Sequence, residues 1–163
     1  MKKNKKRGFF KNPIVKNILS AIAVALLGAI LLNLAFTLDY VFQTLIRLIY
    51  SLFVPVDAGA PFFPVLLHFL FVILIGLISW LVFKSKLGVI LKASYLSVPA
   101  AVVFATIGMF LYSWPLIALF LGGFVAIGIL YYFYKTKQPW LYYYTVILIG
   151  LALAIFSLLG GEI

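Results

Sequence analysis

The amino-acid sequence predicts an all-α polytopic membrane protein with five transmembrane helices, and three observations carry that prediction. Of its 163 residues, 66% are hydrophobic and only 10% charged. A water-soluble domain of this length leaves too many residues at its surface to keep that much apolar area dry. The apolar residues also fall into five runs, each close to the roughly 20 residues a helix needs to cross a hydrocarbon core of about 30 Å. Finally, nearly all the positive charge lies outside those runs, in three lysine-rich segments. The absence of cysteine removes disulfides, thiolate metal ligands and a cysteine nucleophile.

The five spans read as Asn17–Leu38, Phe62–Phe83, Ala93–Ser113, Pro115–Tyr134 and Trp140–Leu159. The basic start, MKKNKKRGFFKNP, has the look of a signal-peptide n-region. The apolar run behind it exceeds the roughly 7–15 residues of a signal h-region, and cleavage after Ala21-Ile22-Ala23 would cut inside it. An uncleaved first span is expected. Proline punctuates the others: Pro61 and Pro64 open the second, Pro115 the fourth and Pro139 the fifth, near first-turn positions where the missing N–H costs little. Pro99, early in the third, frees the carbonyl of Tyr95, and Ser94 and Ser97 are placed to help satisfy it at an expected kink. The chain reads as one membrane domain without linkers or repeats.

Lysine and arginine set the orientation. With the N-terminus in the cytoplasm, Lys2, Lys3, Lys5, Lys6, Arg7, Lys11 and Lys16 precede the first span on the inner side. Lys84, Lys86 and Lys92 then fall in the second inner segment, and Lys135 and Lys137 in the third. Of the 13 basic residues only Arg47 lies outside, together with Asp39, Asp57 and Glu162. This is the positive-inside pattern, with the C-terminus outside and the lysines facing anionic headgroups. The net charge of +10 flanks apolar spans, so lipid is the expected partner and nucleic acid is not. Tyr131, Tyr132, Phe133, Tyr134, Trp140, Tyr142, Tyr143 and Tyr144 crowd the last inner hairpin, as an aromatic belt or a docking surface for a cytoplasmic partner.

Between spans one and two, Asp39, Gln43, Arg47 and Ser51 recur every four residues, one narrow polar stripe on a helix. The fifteen residues Asp39–Phe53 reach only about 22 Å, short of a crossing. As a sixth span they would bury Arg47 at a cost of about 2.5–3.5 kcal/mol and would move Lys84, Lys86 and Lys92 outside. The expectation is an amphipathic helix in the outer interface, or one packed across the bundle.

Small residues mark other faces: Ala21, Ala25, Gly28 and Ala29 in span one, Ala118, Gly122, Gly123, Ala126 and Gly128 in span four, Gly150, Ala152 and Ala154 in span five. Spacing of this kind lets helix backbones approach closely, within one chain or in a homo-oligomer.

The candidate polar site on the outer face is Asp39, Gln43, Arg47, Asp57 and His68, with Asn33, Thr37 and Thr106 as intramembrane polar residues. Asp57 is expected to turn back on His68, since Gly59 and Pro61 permit a turn. A neighbouring carboxylate favours a protonated imidazole, the starting point of a pH sensor or proton relay. One histidine and two aspartates do not define a metal site, and no cofactor motif occurs. Hydrolase and protease motifs are missing, as is an acidic pair within the spans.

Three functions fit these residues, in this order: a non-catalytic accessory, assembly or lipid-environment factor of the cytoplasmic membrane, with a membrane-protein partner or a second copy; a small transporter or channel entered from the outer polar residues; and an outward-facing membrane hydrolase. A transporter requires Asn33, Thr37 and Thr106 to converge on one cavity. An accessory protein leaves them scattered and separately paired. An enzyme requires the outer ionisable groups around one cleft.

Overall fold

The computed structural model describes residues 12–53 and 63–159. It consists of five helices, α1 Pro13–Ser51, α2 Phe63–Lys84, α3 Val89–Phe110, α4 Pro115–Lys135 and α5 Trp140–Leu158. Each is long and apolar enough to cross a membrane. The polybasic residues Lys2 to Lys11, together with Asp57, Pro61, Phe62 and Glu162, lie outside the described residues.

The others pack around α3. It is the most buried of the five, and its most apolar stretch is the least hydrophobic of the five such stretches, carrying Ser94, Ser97 and Pro99. In a bilayer this is the expected sorting: the helix that touches lipid least can hold polar groups, because neighbouring helices satisfy them. Ser94, Ser97 and, from α5, Thr145 are almost fully buried, and each hydroxyl has an acceptor. Ser94 Oγ donates to Ile90 O at 2.9 Å. Ser97 Oγ lies 2.7 Å from Ser94 O and 3.2 Å from Gly28 O on α1. Thr145 Oγ1 lies 2.9 Å from Leu141 O and 3.0 Å from Ala93 O on α3. The helix continues through Pro99, and the two serines do not serve the Tyr95 carbonyl as expected; they tie α3 to itself and to α1.

The largest difference from the sequence reading lies in α1. A span ending at Leu38 and a separate interfacial helix are replaced by one helix of 39 residues. The physical reason is local. No glycine or proline interrupts residues 29–53, and Asn33, Thr37, Asp39, Gln43, Thr44 and Ser51 each find a partner on their own helix. Asn33 Nδ2 donates to Ala29 O, Thr37 Oγ1 to Asn33 O and Thr44 Oγ1 to Tyr40 O, all at 2.8–2.9 Å. The far end is also held by packing: the Phe42 ring lies 6.3 Å from Phe71, and Tyr50 lies 4.6 Å from Phe63.

These contacts give the path of α1. Gly28 sits level with Ser97, and the Ser79–Tyr95 contact puts that level near Leu77 on α2. From there to the Tyr50–Phe63 contact, α1 uses about 22 residues and α2 about 14, or about 33 Å against 21 Å. The first helix therefore leans across its neighbours, which is how so long a helix fits beside shorter ones.

Helix ends follow ordinary capping rules. Asn12 Oδ1 accepts from Ile14 N at 3.0 Å, with Pro13 in the first turn. The end of α4 carries paired bonds, Gln138 N to Phe133 O at 2.9 Å and Lys137 N to Tyr134 O at 3.2 Å, the Schellman arrangement. Its left-handed position is occupied by Lys137, φ 51°, where glycine is usual.

At the lysine-bearing end of the bundle, part of the aromatic group is core. Phe133 and Tyr142 are buried, and edge-to-face contacts of 5.7–6.2 Å join Phe83, Tyr95, Tyr142, Phe133 and Tyr143. This network ties α2, α3, α4 and α5 together, each pair adding about 0.5–1.5 kcal/mol beyond its buried area. Tyr131, Tyr132, Tyr134 and Trp140 remain exposed, as a belt would be.

Candidate functional site

The polar stripe on α1 divides into two parts. Gln43 Nε2 lies 3.0 Å from both carboxylate oxygens of Asp39, a bond between successive turns of one helix. Both residues are half-buried, while Arg47, one turn further on, is exposed and takes no part in that pair. The amide donor offsets part of the cost of placing a carboxylate among apolar side chains.

His68 has a hydrogen-bond partner on another helix. Its Nε2 lies 2.9 Å from Thr106 Oγ1. The threonine hydroxyl has a single proton, and at 2.6 Å from Val102 O it donates that proton to the backbone. With that proton directed to Val102 O, the bond between His68 and Thr106 calls for a hydrogen on Nε2. The expected partner, Asp57, lies outside the described residues.

The intramembrane polar residues do not converge. Asn33 and Thr37 lie on the exposed side of α1, bonded to its own carbonyls, while Thr106 is turned to His68 between α3 and α2. Among the described residues no group of histidine and carboxylates is placed to hold a metal.

Several lysines sit where helix ends need cations. Lys92 Nζ donates to Phe83 O at 2.8 Å, closing the last turn of α2, where a positive charge complements the helix dipole. Lys84 Nζ stands 4.2 Å above the Trp80 ring, a cation–π contact. Lys16, Lys86, Lys135 and Lys137 are exposed, available to headgroups.

What the sequence reading missed is a groove. Its volume is about 580 Å³, and it runs between α4 and α5 with α3 as its floor. The walls are the small residues of spans four and five, among them Ala118, Gly122, Gly123, Ala126, Gly150 and Ala154. The sequence marked these as close helix contacts. They stand apart because Phe104 of α3 is wedged between them. A Cβ on Gly122 would lie 3.9 Å from its ring, and one on Gly150 would lie 3.7 Å from it. The clue available beforehand was the pairing of two small-residue faces with one bulky residue on a neighbouring span. The groove reaches none of Asn33, Thr37, Asp39, Arg47, His68 and Thr106. Comparison with protein-family models, with curated proteins and with solved structures finds no match to this chain.

Proposed function

We propose that this chain is a non-catalytic protein of the cytoplasmic membrane, N-terminus inside and C-terminus outside, acting as an accessory, assembly or lipid-environment factor. The observation that carries the reading is the scatter of its polar groups. Asn33 and Thr37 are bonded within α1, Asp39 to Gln43 and His68 to Thr106, and none of them lines the groove. A path for an ion or polar solute needs polar side chains facing a shared cavity. Among the three roles, the apolar groove favours the one concerned with the lipid environment.

The orientation rests on the lysines and is tested with single cysteines, since the native chain has none. A cysteine at Ser113 should react with an impermeant thiol reagent in intact cells and one at Ser85 should not; the reverse pattern rejects the assignment. The functional reading is tested in proteoliposomes. Proton, sodium and potassium flux should match that of empty vesicles. Flux that falls when Asn33, Thr37 or Thr106 is replaced by alanine, valine or valine, respectively, would establish a transporter.

A further inference from the structure

We infer that the groove between α4 and α5 holds one acyl chain of a bilayer lipid. The inference rests on the membrane reading above, because that reading puts hydrocarbon at the groove's mouth.

The helices that form it turn large apolar side chains outward: Phe120 is 80% exposed, Phe124 76% and Leu151 58%. Surrounded by lipid, such a cleft does not stay empty, because an unfilled wall forfeits its dispersion contacts. Water is a poor filler along most of the length, since it needs two to four polar partners and the lining side chains offer them only at one end. Of the lining side chains only Tyr112 and Ser157 carry polar atoms. Both stand at the end away from the lysines, Tyr112 just beyond α3 and Ser157 in the last turn of α5. The lining is thus apolar along its length and polar at one end, the polarity of a lipid chain below its ester.

Dimensions select the occupant. From Pro115 to Leu130 the groove follows α4 for about 22 Å. The 580 Å³ is the room open to the centre of a water molecule; with the whole gap between the walls counted, about 1560 Å³, the mean section over that length is at most about 71 Å². A helix 10–12 Å across needs about 80–110 Å², so a span from a second copy does not enter. A polymethylene chain, with neighbours at about 4 Å carbon to carbon, needs of the order of 15–20 Å². The protein's own remaining segments fit poorly by charge. Residues 1–11 are lysine-rich, 54–62 contain Asp57 and 160–163 contain Glu162, and the groove offers no charged partner to any of them.

The test uses the full chain in phosphatidylcholine–phosphatidylglycerol vesicles containing a phospholipid with a diazirine in its acyl chain. After illumination, adducts are mapped by mass spectrometry. Adducts on groove residues such as Ala126 and Ala154 should exceed those on Phe120 and Phe124, which face outward from α4 away from the groove. Gly123→Leu should cut the groove adducts at least fivefold, while Gly128→Leu, on α4 but outside the groove, should leave them unchanged. A Cβ at either glycine meets nothing within 4 Å, so both positions leave room for a side chain to begin. Equal labelling of the groove and of Phe120 and Phe124, or groove labelling indifferent to Gly123→Leu, overturns the proposal. So does a groove that takes no label while a single cysteine at Ala126 forms a disulfide between two chains, which would assign it to a second copy. If Phe120 and Phe124 take no label at all, the membrane reading itself has failed.

Discussion

Gly28 is where α1 and α3 come closest, and substituting it tests whether that approach holds the bundle together. A Cβ at this position would stand 3.2 Å from Ser97 Oγ, 3.4 Å from Ser97 Cβ and 3.6 Å from Ser94 O. Alanine asks the serine to give by a few tenths of an ångström, while the glycine-to-alanine change returns up to about 1 kcal/mol of helix propensity. The two effects nearly cancel, and Gly28→Ala should be close to neutral. Leucine cannot be accommodated in this way. Overpacking costs typically about 1–3 kcal/mol. Prying Gly28 O from Ser97 Oγ, now 3.2 Å apart, adds about 0.6 kcal/mol, the average for an interhelical bond in a membrane protein. With the propensity gain subtracted, Gly28→Leu should lose about 2 kcal/mol.

The assay is equilibrium unfolding in mixed micelles, followed by circular dichroism as SDS is added. Gly76→Leu is the control: Gly76 lies exposed on α2, a Cβ there meets nothing within 4 Å, and no loss is expected. Adding Ser97→Gly to Gly28→Leu should restore part of the stability, since neighbouring sites couple. Equal losses at Gly28 and Gly76, or strict additivity of Gly28→Leu with Ser97→Gly, would refute the account of the α1–α3 contact.

Three further outcomes follow from the same geometry. Nitrogen-15 NMR of His68 should show a proton on Nε2, and Thr106→Val should weaken that preference and cost about 0.6–1.7 kcal/mol; a bare Nε2 in the native protein contradicts the bond as assigned. A double-mutant cycle of Asp39→Asn with Gln43→Ala should give a coupling of about 0.2–0.5 kcal/mol, whereas Asp39→Asn with Arg47→Gln should add simply; the opposite pattern would make Arg47 the partner. Lys137→Gly should stabilise the α4–α5 hairpin by about 1 kcal/mol in the same SDS titration, because only a side chain resists the left-handed conformation there.

The spans were legible because their physics is one-dimensional. Apolar length and proline at first turns place Pro115 and Trp140 at helix starts, as expected, and move the other starts by at most a turn. The end of α1 was not legible in the same way. Length, the cost of burying Arg47 and the side taken by the lysines set residues 39–53 apart as a separate helix, because the bilayer thickness was treated as a limit. The limit applies to distance along the normal, and a leaning helix packed by Phe42 and Tyr50 against α2 exceeds it. That information lies in contacts between residues some 13 to 29 positions apart, which a periodicity argument does not see.

The candidate site shows the same division. Spacing by four correctly grouped Asp39 with Gln43, an interaction internal to one helix. Proximity along the chain pointed His68 toward Asp57, which lies outside the described residues, and could not show its hydrogen bond to Thr106, 38 residues away. Small residues at helical spacing were read as surfaces of close contact, and in α1 Gly28 is one. In α4 and α5 the same residue type has the opposite effect, because a glycine closes an interface only when the facing residue lets it. Facing Ser97, Gly28 brings two backbones together; facing Phe104, Gly122 and Gly150 leave a ring between two helices and a trough along them. A stripe of small residues therefore specifies that something approaches closely. The residue opposite decides whether it is another backbone or, as we infer for this groove, a lipid chain.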